Sequence, residues 1–278
     1  MGHYIDLHIH TNHSDGICSV EEILSMVRVK ELAAFALADH DTLSGYCEMC
    51  RILTGDDPDL ISGIELSAAA GDDDVHILGY MVDPDDSALN AEITRLQKER
   101  NQRGRRIVEK LKELGIDIPF EAVLETANNR VIGRPHIAET MHRLGATRSY
   151  QEGFDRYIGT GCPACVPKVR LKLNEAIDLV HGAGGVAVLA HPLADGSVKH
   201  LETLVELGLD GMEVWHYSVG PKDTRRLLRL AQRHNLLVSG GSDFHGRGEF
   251  DQGPGAQPIP ADHLEKLKQR SLEIRGQD

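Results

Sequence analysis

Short apolar runs that end in imidazole or carboxylate constrain this chain more than any other feature. Strand-like runs rich in Val, Ile, Leu and Ala recur at 4–9, 34–39, 60–67, 74–81, 186–191, 211–216 and 236–241. The first, "YIDLHIH", carries His8 and His10 at alternate positions, so an extended backbone turns both to the same face. Two adjacent imidazoles repel when charged. They are stable together as neutral rings with free lone pairs, which is a chelating arrangement. Asp15 follows in "TNHSDG". "ALADHD" closes the second run at His40 and Asp41, and "SGIELS" places Glu65 late in the third. "DDDVHILGY" puts His76 in the fourth, "AVLAHP" ends at His191, and "SGGSDFHG" delivers Asp243 and His245, again alternating.

Amphipathic helices are predicted between most of these runs, at 19–32, 174–183, 199–207 and 221–235. The first opens on "SVEE", a Ser with Glu three residues on, which reads as a capping box. Alternating strands and helices predict an α/β parallel sheet or barrel. In a barrel the strand ends meet at one face, and that face carries the chemistry. The alternation stops between about 85 and 165, where the sequence is polar, helical and without a convincing strand. The expected organisation is therefore a barrel from 1–84 and 166–278, interrupted by a helical cap subdomain at 85–165. Within the insert, 95–112 holds eight Lys or Arg against two Glu. That is either a solvated helix face or a basic patch over the site.

Length and composition narrow the function classes. With 278 residues, 41% of them hydrophobic, the chain can bury a full core. A net charge of −13 argues against duplex DNA as a partner, and 4% aromatic residues argue against a base-stacking platform. No apolar run approaches the ~20 residues of a membrane span, and the chain enters a strand pattern at once, so a cytoplasmic protein without membrane association is expected. Cys47/Cys50 and Cys162/Cys165 form two C-x-x-C pairs that could imitate a four-thiolate zinc site, but reduced cytosolic thiols are the preferred reading. Residues 248–262 read as weakly ordered.

Bringing this many imidazoles and carboxylates together without cations would cost on the order of several kcal/mol in repelling and unsatisfied groups. Divalent metals resolve the conflict, and mixed His and carboxylate donors suit Mn²⁺, Fe²⁺ or Zn²⁺.

Together, "DLHIHTNHSDG", "ADHDT", "GIELS", "AHP" and "GSDFHG" resemble the polymerase and histidinol phosphatase (PHP) family over most of 4–81 and 166–247. The resemblance implies a distorted (β/α)₇ TIM-like barrel and a metal-dependent phosphoesterase with two to three divalent ions, Mn²⁺ foremost. By that resemblance His8, His10, Glu65 and Asp243 hold one metal. Glu65, His76 and His191 hold the second, with Glu65 bridging. Asp15, His40 and His245 hold the third. A hydroxide shared by the first two metals would attack phosphorus, and Asp41 is a candidate proton donor to the leaving alcohol.

"VIGRPHIAETM" further resembles the "GR-x-H" motif of a subgroup that removes the 3′-phosphate from nucleoside 3′,5′-bisphosphates and trims short RNAs from the 5′ end. Arg134 and His136 are then substrate-binding residues at a helix N-terminus, with Lys168 a further phosphate ligand. His13, Trp215 and His216 lie near predicted strand ends and are candidates for lining the pocket. A phosphodiesterase on small cyclic phosphates, a histidinol-phosphate phosphatase and a polymerase-associated module are the alternatives.

Overall fold

The computed structural model describes residues 4–128, 130–247, 252–257 and 259–276. Seven strands make the wall of a barrel: β1 (Tyr4–Ile9), β2 (Ala34–Leu37), β3 (Asp59–Ala70), β4 (Asp73–Tyr80), β6 (Val186–Leu189), β7 (Gly211–Trp215) and β8 (Leu237–Gly240). Two short strands are added at its rim, β5 (Leu171–Lys172) beside β3 and β9 (Ile259–Pro260) beside β1. β9 falls inside the stretch expected to be weakly ordered, and it pairs with Tyr4 and Ile5; residues 248–251 and 258 of that stretch lie outside the described residues.

The sheet runs β8-β7-β6-β4-β3-β2-β1-β9. The segment after β8 comes back to β1 and nearly closes the sheet. There Asp243 N–H donates to His8 O at 2.8 Å, and His10 N–H donates to Phe244 O at 2.9 Å. Gly241 permits this seam, since a Cβ there would sit 2.2 Å from the Cβ of His8.

The sheet is not wholly parallel. β4 runs antiparallel to both β3 and β6. Only Gly71 and Asp72 separate β3 from β4, and so short a link allows a hairpin but no crossover helix. Gly71 supplies the positive φ of 62° that the turn needs.

Helices cover the barrel. α1 (Val20–Val29) starts at Ser19, whose side chain accepts from Glu22 N–H while Glu22 reaches back to Ser19 N–H, the expected capping box. Its Ile23, Leu24 and Val27 pack on Phe35 and Leu37. α2 spans Ser44–Ile52. In α7 (Leu173–Gly182), Leu173, Ala176, Ile177 and Val180 pack with Ile64, Ile77 and Leu189. α8 (Leu201–Glu206) and α9 (Pro221–Arg233) add Leu204 and Leu227 to the same core, and α10 (Asp262–Arg275) adds Leu264, Leu267 and Ile274 to a core around Ile5, Leu7 and Tyr80. Each such side chain contributes ~1.5–3 kcal/mol by leaving water.

The segment between β4 and β5 is helical throughout: α3 (Ser87–Glu113), α4 (Phe120–Thr126), α5 (Arg134–Arg143) and α6 (Tyr150–Gly153), the last running into a π-type turn at Phe154–Ile158. It has its own core, with Ile107, Leu111, Phe120, Val123, Ile137 and Met141 at its centre. The long helix α3 serves two cores. Its first half places Leu89, Ile93 and Leu96 against the barrel, and its second half places Ile107 and Leu111 in the cap.

Candidate metal centre and phosphate site

The strand periodicity that put His8 and His10 on one face also buries both completely. Their Nε2 atoms lie 3.0 Å apart. Glu65 Oε2 stands 3.4 Å from His8 Nε2 and 3.3 Å from His10 Nε2, and Asp243 Oδ1 stands 3.4 and 3.2 Å from the same two atoms. One group of four donors is thus gathered from β1, β3 and the segment after β8.

The other carboxylate oxygen of Glu65 serves a second group. Oε1 is 2.8 Å from His76 Nδ1 and 3.0 Å from His191 Nε2, and the two imidazole nitrogens are 3.3 Å apart. Glu65 therefore spans two donor clusters, one through each oxygen. A third group surrounds Asp15, with His245 Nε2 at 3.4 Å and His40 Nε2 at 3.9 Å. His10 and His40 face two groups each. His10 turns Nδ1 toward Asp15 at 3.8 Å, and His40 turns Nδ1 toward Glu65 Oε2 at 3.0 Å. All nine side chains that the resemblance named as ligands therefore lie in this one region.

Their electrostatics fit cation binding. Burial alone would raise the pKa of Glu65, yet the imidazoles of His40, His76 and His8 hold it well below the usual range, and Asp15 and Asp243 behave alike. Burial opposes a charge on His8, but the carboxylates of Glu213, Asp243 and Glu65 carry its pKa up to about 10. Burial prevails at His40, which falls to about 4. The acids are thus ionised and crowded. Glu65 Oε2 and Asp15 Oδ1 are buried and make no hydrogen bond among the described residues. Oxygen donors left open beside imidazole nitrogens are the donor set of a borderline divalent ion.

Glu213, which the sequence did not single out, and His216, expected only to line the pocket, hold the donors in place. Glu213 of β7 is fully buried, lies 3.1 Å from His8 Nδ1, and accepts from the backbone N–H of His191 at 2.7 Å. Its signal was an acid inside the apolar run "GMEVW". His216 Nε2 lies 3.1 Å from the second oxygen of Asp243. Such outer partners fix ring orientation and ligand basicity. Arg100 is the other omission. It was one cation in a basic run, and only the fold shows it buried against Asp41.

That contact bears on the expected proton donor. Asp41 accepts from Ser67 N–H and Ser67 Oγ–H through one oxygen each, and from Arg100 Nε–H at 2.7 Å. Burial would raise its pKa, but Arg100 and Lys168 bring it down to about 2. It is a carboxylate at neutral pH. The basic run is mixed overall: Arg100 and Arg103 are buried, whereas Arg95 pairs with Glu92 at the surface.

Of the remaining expected residues, Arg134 and His136 lie in the helical segment and Lys168 just after it. Arg134 opens α5, its guanidinium 6.0 Å from the centre of the Phe154 ring and without an acidic partner within ion-pair distance among the described residues. His136 is buried, and its Nδ1 accepts from Gly133 N–H, so it closes the first turn of the same helix. Burial lowers its pKa to about 4. Lys168 also has no acidic partner within ion-pair distance, and burial followed by the charge of Arg100 lowers its pKa to about 8. None of the five cysteines is in a disulfide. No described helix is long and apolar enough to cross a membrane.

A nearly closed α/β barrel whose strand ends gather histidines and carboxylates into clusters able to hold cations is the framework of a metal-dependent hydrolase. The chain belongs to the PHP family, whose PHP domain model matches residues 6–164. It is 32% identical to the 3′,5′-nucleoside bisphosphate phosphatase of Chromobacterium violaceum over 88% of each chain. It is 33% identical to the 5′-3′ exoribonuclease Rnm of Salmonella typhimurium, over 86% of this chain and 84% of that one. Among solved structures, a Bifidobacterium adolescentis protein assigned as a metal-dependent phosphoesterase superposes with a TM-score of 0.87 at 32% identity, over 97% of each chain. These similarities make the chain a hydrolase of phosphate esters and bear out the distorted TIM-like barrel read from the sequence.

Proposed function

We propose that the protein is a phosphomonoesterase that removes the 3′-phosphate from nucleoside 3′,5′-bisphosphates, with short oligonucleotide ends as a second substrate class. The observation that carries this reading is the pairing of the acidic clusters with uncommitted cations. Among the described residues Arg134 and Lys168 form no direct ion pair, although the carboxylates of Asp41, Asp74 and Glu65 act on Lys168 from a distance, and Arg103 is close enough to Arg134 and Arg100 that burial and these charges lower its pKa to about 10. Cations without a direct ion-pair partner are arranged for an anionic ligand, and more than one of them suits a ligand with two phosphates. The bisphosphate phosphatase and exoribonuclease relatives support the same class.

In this reading up to three Mn²⁺ ions would be held, one by His8, His10, Glu65 and Asp243, one by Glu65, His76 and His191, and one by Asp15, His40 and His245. Divalent cations, when bound, activate water as a nucleophile and neutralise charge on phosphate oxygens. Glu213 keeps the His8 ring turned so that Nε2 faces the cluster. Arg134 and the first amides of α5 orient the phosphate, and His136 stiffens that turn by capping it. Lys168, with a pKa of about 8, neutralises charge developing on the phosphate and holds a proton that can pass to the leaving alcohol. Asp41, ionised at neutral pH, positions Arg100 and has no proton to give. Residues 85–165 act as a cap that supplies Arg134 and His136, with Lys168 added by the segment that follows it. A cytoplasmic location is part of the reading and suits five cysteines outside any disulfide.

Release of one phosphate per adenosine 3′,5′-bisphosphate by the Mn²⁺-loaded protein, with AMP as product, tests this function. A relative at 29% identity, from Eggerthella lenta, is named phosphoribosyl 1,2-cyclic phosphate 1,2-diphosphodiesterase. Turnover of cyclic diesters with none of the bisphosphate would overturn the assignment in favour of that chemistry.

A further inference from the structure

A cavity of about 260 Å³ opens at the seam between barrel and cap, lined by His13, Thr42, Gln97, Asn101 and Arg130. It adjoins the metal-binding region through the chain. Thr42 is two residues from His40 and His13 is two from Asp15, so each lies within ~7 Å of a candidate ligand along the backbone. Gln97 Nε2–H also donates to the carbonyl of Asp41, at 3.2 Å.

The charge of this cavity differs from that of the phosphate site. Its cation, Arg130, is already committed, donating to Asn12 Oδ1 and to Glu48 Oε2, the latter at 3.4 Å. His13 Nε2 lies 2.9 Å from the same Glu48 oxygen. A second phosphate would meet that carboxylate and a guanidinium with no charge to spare. The other polar groups are neutral. Gln97 and Asn101 stand four residues apart on α3 and so share a face. The Oδ1 of Asn101 is buried and has no hydrogen-bond partner among the described residues. A buried amide oxygen without a partner calls for a donor that can satisfy it.

We propose that this cavity seats the nucleobase of the substrate, with its polar edge paired to the carboxamides of Asn101 and Gln97. Carboxamides present a donor and an acceptor side by side, which matches the edge of a base such as adenine. The inference rests on the nucleotide reading above and adds where the base is recognised. The cap thereby contributes to both ends of the substrate, with Arg134 toward a phosphate and Asn101 toward the base.

Calorimetric binding of AMP and of ribose 5-phosphate to the Mn²⁺-loaded protein tests this without relying on turnover. The native protein is expected to bind AMP about 10-fold tighter than ribose 5-phosphate, the value of roughly one well-made hydrogen-bonded contact. Asn101→Ala is expected to bring that ratio close to one. Asn101→Ser serves as a second variant if the first is poorly folded. An unchanged ratio in a folded variant, or no preference in the native protein, overturns the inference. If the base preference holds and collapses on substitution while no phosphate is released from adenosine 3′,5′-bisphosphate, the base site stands and the phosphatase assignment falls.

Discussion

Arg100 on the long helix α3 lies 2.6 Å from Asp41, the residue that follows His40. Both side chains are buried, and Asp41 holds an uncommon positive φ of 50°. The pair therefore fixes the backbone that presents His40, and it does so from the cap side. Arg100→Met would leave a buried carboxylate unpaired, with an expected loss of ~3–5 kcal/mol in urea unfolding. Adding Asp41→Asn should recover part of that loss. Equal stability of the native and Arg100→Met proteins would show that the pair is not buried in solution.

Glu213→Gln keeps the shape of the side chain but removes the negative charge beside His8 Nδ1. Metal affinity is expected to fall by about 10–100-fold, the usual effect of losing an outer partner of a ligating histidine. Mn²⁺ titration by calorimetry measures this directly.

His191→Ala and Asp243→Asn each remove a candidate ligand. Turnover is expected to be nearly abolished, with the circular dichroism spectrum unchanged. Elemental analysis should show less bound metal per chain. Full activity in either variant would contradict the ligand assignment.

His136 makes stability depend on pH. Its folded pKa of about 4 lies below the ordinary 6.5, so the fold favours the neutral ring. The stabilisation is complete above pH 6.5 and is lost as pH falls toward 4, for a total of about 3 kcal/mol. His136→Gln retains an acceptor for Gly133 N–H but cannot titrate. Melting curves of the variant should decline less steeply across that window than those of the native protein.

Gly241→Ala tests the barrel seam. The added methyl would press into the backbone of His8, and overpacking of this kind costs typically ~1–3 kcal/mol. A lower midpoint of thermal unfolding is expected, together with weaker metal binding because His8 moves.

Much of this architecture was legible because two signals coincide along the chain. A period-two strand places His8 and His10 on one face, and apolar runs of buried strands stop where the chemistry starts. Those runs match β1, β2, β3, β4, β6, β7 and β8 to within a few residues at each end. Strand direction was harder to read, since β4 looks like its parallel neighbours until the two-residue link at Gly71 is weighed. Glu213 and Arg100 escaped notice for opposite reasons. Glu213 is a single acid in a hydrophobic strand, whereas Arg100 is hidden among surface cations. A run of charges does not reveal which member the tertiary fold will bury. The cavity beside Asn101 was beyond reach, because its lining comes from segments far apart in sequence, His13, Thr42, Gln97 and Arg130.

The helix that belongs to two cores limits how the enzyme can work. With Leu89, Ile93 and Leu96 anchored below and Ile107 and Leu111 above, the cap cannot swing at its junction with β4 as a hinged lid would. Opening would have to bend an unbroken rod whose flanks are packed along both halves.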